Sequence, residues 1–320
     1  MPSLTSDIVG RVKRLPLKPS AASALMPLFE AVRNSLHAVQ DRFGDDASKN
    51  GEIEIHTHRH TTGMSAGHVS GFTVTDNGIG LTKENYESFL MPDTQYKMRR
   101  GGKGVGRLGW LKVFGDIGVD SHYLDEGKIE RRVFKFVLAP QDQIRLSAEA
   151  VPSASAPGTA VSLSDYDGLF APKCPTRWHT IVERLIGHFL PVFAAGSAPF
   201  VSYHDGAEFL DLREYFVDQI VTQSEQDVFV SLNDGQTVTI KLRHIKAKKA
   251  IRAERSKWHW LFLTANERAV EEASLDDTLG LKALDGEYVY FGCASGESTL
   301  RRNPSYFCGA SFLLARAPAT

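Results

Sequence analysis

Between Ser20 and Phe43 the residues Leu25, Leu28, Phe29, Val32, Leu36 and Val39 recur at intervals of three and four. That spacing predicts one long, half-buried helix, begun by Pro19 and Ser20 and stopped by Gly44. The period then changes. After a polar stretch, GDDASKNG, which reads as a loop, EIEIHTHRH and HVSGFTVTD alternate apolar and polar residues like two strands joined by a Gly/Thr/Ser turn. A long helix followed directly by paired strands points to an α+β chain.

Further along, LTKENYESFL reads as a short helix, and QYKMRRGGKGVGRLG is a basic, glycine-rich stretch of lid-like composition running into WLKVFG. IGVDSHYL, IERRVFKFVLA, QIRLSAEAV and GTAVSLSDY follow as consecutive strands, predicting a mixed or antiparallel sheet. TRWHTIVERLIGHFLPVF, residues 176 to 193, reads as an amphipathic helix and APFVSYHDG as a strand. The polar run VTQSEQD, residues 221 to 227, looks like a boundary. Beyond it, VFVSLNDGQTVTIKLRHI reads as a hairpin with an Asp-Gly turn, and KWHWLFLTANERAV and EYVYFGCAS as strands. With 320 residues, 42% of them hydrophobic, the chain can bury two cores, and we place the domains at 1–220 and 221–320.

Thirty-seven Lys and Arg against 38 Asp and Glu leave a net charge of −1, so any basic binding site must be local. Cys174, Cys293 and Cys308 are odd in number and lack CxxC spacing, which argues against a disulfide framework or a zinc site and fits a reducing compartment. The N-terminus has no apolar signal-peptide core and no stretch approaches 18 apolar residues, so a cytoplasmic protein without membrane contact is expected.

Three motifs carry possible chemistry. Within FEAVRNSLHA, Glu30 and Asn34 are four apart and share one helix face, where a carboxylate can polarise water and a carboxamide oxygen can ligate Mg²⁺; taken alone, the same residues read more simply as an exposed Glu/Asn pair. In TVTDNGIGL, Asp76 ends a strand and can accept a hydrogen bond from an exocyclic amine, with Gly78 and Gly80 allowing close backbone approach; the same pattern also serves a tight turn. In RRGGKGVGRLG, the glycines at 101, 102, 104, 106 and 109 with Arg99, Arg100, Lys103 and Arg107 can make a phosphate cradle ahead of a helix. It is not a dinucleotide-binding turn, because no apolar strand precedes it, and not a Walker A loop, because no GK[ST] follows. A fourth, weaker signal is APGTAVSLS, with Gly158 and Thr159 at a turn-to-strand junction.

In that order, these segments resemble the GHKL (Bergerat-fold) ATPases, a superfamily that includes gyrase B, Hsp90, histidine kinases and MutL. The layout is similar to its Hsp90-like and MORC-like branch over roughly residues 15 to 215. The resemblance implies a two-layer α/β sandwich, with a mixed, mostly antiparallel sheet and helices on one face, followed by an incomplete transducer-like α/β domain. It also implies ATP and Mg²⁺ as cofactors. Glu30 would be the catalytic base for water, Asn34 the Mg²⁺ ligand and Asp76 the acceptor for the adenine amine, with Thr159 on the same edge. Gly78 and Gly80 would line the base pocket, and Gly102, Lys103, Gly104, Val105 and Gly106 would wrap the phosphates. The expected activity is ATP hydrolysis in an ATP-gated, homodimerising clamp, with ATP and ADP as ligands and a client protein or nucleic acid undefined.

The second half resembles the opening strands of the transducer, but Ser305 and Tyr306 stand where a basic residue is expected, leaving Arg301 and Arg302 as nearest substitutes. The chain stops at Thr320, short of a complete transducer. Other readings are a non-catalytic nucleotide-binding module and a histidine-kinase-type phosphotransferase; against the latter, only about 19 residues precede the first helix. The superfamily's engine serves chaperoning, DNA repair or topology, compaction and antiviral defence, and the stand-alone, Hsp90-like look points to defence. His56, His58 and His60 share a strand face that can bind metal but more simply faces solvent, and the basic run 241–257 lacks interleaved aromatics.

Overall fold

A computed structural model describes residues 7–91, 106–147, 156–231, 237–252, 258–265, 268–276 and 286–296. The sequence expectations for Gly102, Lys103, Gly104, Val105, Arg301, Arg302, Ser305 and Tyr306 lie outside the described residues. The chain divides into two compact units, Met1–Ile181 with Pro199–Asp211, and Val182–Ala198 with Leu212–Thr320.

The first unit opens with α1 (Ile8–Arg14) and α2 (Ala21–Phe43). Ser20 starts α2 through a reciprocal cap: its hydroxyl accepts from the Ser23 N–H at 3.2 Å and its own N–H donates to the Ser23 hydroxyl at 2.9 Å. Pro27 lies inside the helix, where it cannot donate to the preceding turn. The polar stretch after α2 is helical rather than a loop, with a 3₁₀ turn at Gly44–Asp46 and α3 at Ala47–Asn50. Then come β1 (Glu52–Arg59), β2 (Val69–Asp76), α4 (Lys83–Leu90), α5 (Gly106–Val113), β3 (Phe114–Asp125), β4 (Lys128–Phe136), β5 (Ile144–Leu146) and β6 (Gly158–Tyr166). The expected helix over 176–193 is interrupted, giving α6 (Trp178–His188) and α7 (Leu190–Ala194). Pro191, whose ring cannot continue the hydrogen-bond ladder, sits in the first turn of α7. β7 (Phe200–Asp205) and β8 (Glu208–Asp211) complete the sheet.

That sheet has eight strands in the order β5-β4-β3-β6-β2-β1-β7-β8, antiparallel except for the β1–β7 pair. α2 packs on β1, β2 and β6. Its buried residues Leu25, Leu28, Val32 and Val39 share the core with Ile53, Ile55, Phe72, Val74, Ile117, Val119, Val161 and Leu163. Glu54, His56 and His58 take the alternate positions of β1, away from that core. There His56 stacks on His204 with ring centroids 4.2 Å apart, and His58 hydrogen-bonds Thr73 at 2.7 Å. The mixed α+β architecture expected from the sequence is what the chain adopts.

The second unit holds the larger part of α6, all of α7, α8 (Leu212–Asp218) and a five-stranded mixed sheet of β9 (Ile220–Ser231), β10 (Thr237–Lys248), β11 (Trp260–Ala265), β12 (Arg268–Ser274) and β13 (Tyr288–Gly296), ordered β12-β11-β13-β10-β9. VTQSEQD, which resembled a boundary, belongs to β9. As an edge strand with residues 221–227 exposed, it has no buried face to impose alternation.

Candidate functional site

Strand register gathers the polar groups. Asp76 of β2 pairs with Thr159 of β6, Thr159 with Ser121 of β3, and Ser121 with Arg132 of β4. Opposite residues in neighbouring strands point to the same face, so these four form one row on the helix-bearing side. The adjacent row is apolar: Ile55, Val74, Val161, Val119 and Phe134. A polar row therefore borders an apolar core at one end of the sheet.

Asp76 is buried. Its carboxylate accepts from the Ser35 hydroxyl at 2.7 Å and from the Gly78 N–H at 2.8 Å, and the Thr159 N–H donates to it as well. Burial pushes the Asp76 pKa up to about 6, against the pull of those three hydrogen bonds. Ser121, fully buried, ties the neighbouring strands: its hydroxyl lies 2.8 Å from the Thr159 hydroxyl, accepts from the Leu81 N–H at 2.8 Å and donates to the Gly158 carbonyl at 3.3 Å. Arg132 hydrogen-bonds the Leu81 carbonyl and lies over the rings of Tyr86 and Tyr123, 4.0 and 4.6 Å from their centroids.

The DNGIG segment is pinned from several sides. Asn77 accepts from the Glu52 N–H at 2.8 Å and donates to the Asn50 carbonyl at 2.9 Å, so its side chain is committed to the backbone. Gly78 presses on α2, where an added Cβ would stand 2.5 Å from Ala38, and the Ile79 N–H donates to the Ala38 carbonyl at 3.0 Å. Gly80 has φ +77°, a conformation that favours glycine, and a Cβ there would collide with the His122 carbonyl. The Arg42 guanidinium donates to the Asn77 carbonyl at 2.6 Å and the Pro157 carbonyl at 2.9 Å, joining α2 to the segments that carry Asp76 and Thr159. Arg42→Ala should therefore lower the stability of the protein by about 1–3 kcal/mol in urea unfolding, since two part-buried carbonyls lose a charged donor.

α2 brings the other candidates to the same place. Ser35 binds Asp76 and Ala38 meets Gly78, while Glu30 and Asn34 lie on the adjoining flank of the helix. The first residue of α5, Gly106, lies so close to the Glu30 carboxylate that any Cβ would strike it. α5 is fastened to α2 by Trp110, whose indole N–H donates to the Pro27 carbonyl at 3.0 Å. Glu30, Asn34, Asp76, Gly78, Gly80, Gly106 and Thr159 thus belong to one set of packed elements. Ser35, Arg42, Ser121 and Arg132 join them without having been singled out in the sequence.

The donor set suits a nucleotide. The Asp76 carboxylate offers about four lone-pair positions and uses three of them, leaving one for a ligand N–H such as an exocyclic amine. The half-buried Asn34 carboxamide, with no hydrogen-bond partner among the described residues, is an oxygen ligand suited to Mg²⁺. Among the described residues no group of three or more His, Cys, Asp or Glu could hold a metal ion.

No protein-family model and no curated relative matches the sequence. Solved structures do. The N-terminal domain of a DNA repair protein superposes with a TM-score of 0.51 at 12% identity, covering 92% of this chain and 95% of that one. The 43K ATPase domain of Thermus thermophilus gyrase B, in complex with an aminocoumarin, gives 0.49 at 13% identity over 91% and 81%. The Aquifex aeolicus MutL ATPase domain complexed with ADP gives 0.42 at 16% over 92% and 96%. At these identities the likeness is one of fold. No helix among the described residues is long and apolar enough to cross a membrane.

Proposed function

We propose that the chain is a Mg²⁺-dependent ATPase of the GHKL superfamily, similar to its Hsp90-like and MORC-like branch, whose ATP-bound state closes a homodimeric clamp. One observation carries the reading. Glu30 and Asn34 lie on a helix that is hydrogen-bonded through Ser35 to the buried Asp76, forty-one residues away, beside a glycine-bounded turn. The shared fold with the DNA repair domain supports it.

In this mechanism Asp76 and Thr159 take the adenine edge, and Ser121 holds Thr159 in place. Asn34 would hold Mg²⁺ together with phosphate oxygens, which supplies neutralisation of developing charge when the ion is bound. Glu30 orients a water for in-line attack on the terminal phosphorus and accepts its proton, while the bond to the β-phosphate oxygen breaks and ADP leaves with the electron pair. Phosphoryl transfer of this kind depends mainly on positioning and charge complementarity, which backbone amides, a carboxamide and a well-placed carboxylate provide. Gly102, Lys103, Gly104, Val105 and Gly106 are assigned to the phosphates on the motif resemblance.

Light scattering with ADP and with a non-hydrolysable ATP analogue tests the clamp, alongside calorimetric titration of both nucleotides. ATP binding and a dimer seen only with the analogue are expected. Binding without any change of mass would leave a passive nucleotide module, and no binding would overturn the assignment.

A further inference from the structure

A hydroxyl carries one proton and two lone pairs, so the bonds around Ser121 can be counted. Ser121 is fully buried, and the Leu81 N–H, which can only donate, takes one of its lone pairs at 2.8 Å. The Gly158 carbonyl at 3.3 Å can only accept, whereas the Thr159 hydroxyl at 2.8 Å can do either. Two arrangements fit these contacts. In the first, Ser121 donates to Gly158 and Thr159 donates to Ser121, so that Thr159 has only lone pairs left. In the second, Ser121 donates to Thr159, which frees the Thr159 proton. The second gives up only the Gly158 contact, which is long for an O–H···O bond, and keeps the one of ordinary length. Reversal therefore costs little once something accepts the freed proton, and among the described residues Thr159 has no second acceptor for it.

We propose that this reversal turns Thr159 into a donor to the base, with the buried Ser121 as its positioning residue. Thr159 pairs with Asp76 across the strands and its N–H is bonded to the Asp76 carboxylate, so its hydroxyl adjoins the group that has a lone pair left for a ligand. An amine that donates to Asp76 brings its neighbouring ring nitrogen to the side of Thr159. On the adenine edge that nitrogen, N1, is unprotonated and accepts. Thr159 then donates to N1 and Ser121 donates to Thr159, so the bond given up at Gly158 is replaced by one to the ligand. A hydroxyl that itself receives a hydrogen bond is a stronger donor, so Ser121 strengthens the contact as well as aiming it. This inference rests on the nucleotide reading above and adds to it the base atom that is recognised and the hydroxyl behind its recognition.

Diphosphates suffice for the test, since they carry the base and are not turned over. Calorimetric titration compares ADP with 1-deaza-ADP, in which N1 is replaced by a C–H, on wild type, Ser121→Ala, Thr159→Val and the double variant. Wild type should bind 1-deaza-ADP about tenfold more weakly than ADP, the scale of one hydrogen bond. Ser121→Ala should weaken ADP about fivefold and leave 1-deaza-ADP within about twofold of its wild-type affinity. Thr159→Val should bind the two ligands alike, and adding Ser121→Ala to it should open no new difference between them. Equal affinity of wild type for both ligands would overturn the proposal while the nucleotide reading stands. Equal losses of both in Ser121→Ala would do the same, because a merely structural Ser121 supports either ligand. If wild type bound neither ligand, the nucleotide reading would fall with the proposal. Should Ser121→Ala not fold, Ser121→Cys keeps the side-chain shape with a weaker donor and reads the same contrast, a loss for ADP without one for 1-deaza-ADP.

Discussion

Glu30→Ala is expected to reduce ATP turnover by about 10²–10⁴-fold, the usual contribution of a positioned general base, while ATP affinity stays within a few-fold of wild type. The asymmetry follows from geometry. Glu30 lies at the α5 end of the site against Gly106, whereas the groups assigned to the base are anchored around Asp76 through Ser35, Gly78 and Thr159. Removing the Glu30 carboxylate leaves that polar row untouched and also removes a negative charge from beside the triphosphate. Steady-state phosphate release measured beside calorimetric binding reads both effects. Turnover equal to wild type in Glu30→Ala would exclude this residue as the base. Loss of binding together with loss of turnover would instead make Glu30 a structural support of α5, a role that Glu30→Gln, which keeps the shape and loses the charge, would fulfil and the catalytic role would not.

The elements around the site were largely legible in the sequence, while the contacts between them were not. The 3.6-residue period of α2 and the two-residue period of β1, β2 and β6 follow from one-sided burial, and burial leaves its mark on apolar composition. That mark also held a clue to the polar row. Asp76 continues the inward positions of Phe72 and Val74, and Thr159 precedes those of Val161 and Leu163. Ser121 stands between the inward Val119 and Tyr123, and Arg132 precedes Phe134 and Phe136. Each is a polar residue at an apolar position of its own strand. Their alignment depends on pairing register across four strands, which no single strand specifies. Ser35 is similar: a small hydroxyl on a helix is unremarkable until the helix's rotation against β2 aims it at Asp76. The edge strand β9 shows the opposite case, since exposure removed the pattern that would have revealed it.

Asp76→Asn should abolish tight nucleotide binding, by on the order of a hundredfold or more, because the base end loses its only carboxylate acceptor among the described residues of that row. Its pH behaviour provides a separate check. The native-state pKa, about 6, lies above the ordinary value of 3.8 because burial disfavours the anion. The native state therefore holds this proton more tightly than the unfolded chain does. The resulting stabilisation is fully present below about pH 4 and is lost as pH rises through about 6, a change of about 3 kcal/mol. Asn does not titrate, so the stability of wild type relative to Asp76→Asn should decline between pH 4 and 7, as read by urea unfolding across that range. Ligand binding has the opposite proton linkage. An amine donating to the carboxylate favours its ionised form, so wild type should release part of a proton on binding ATP near pH 6, seen as a binding enthalpy that varies with the ionisation heat of the buffer. Proton uptake there would mean that the base does not engage Asp76, and a stability difference flat with pH would mean that burial does not raise its pKa.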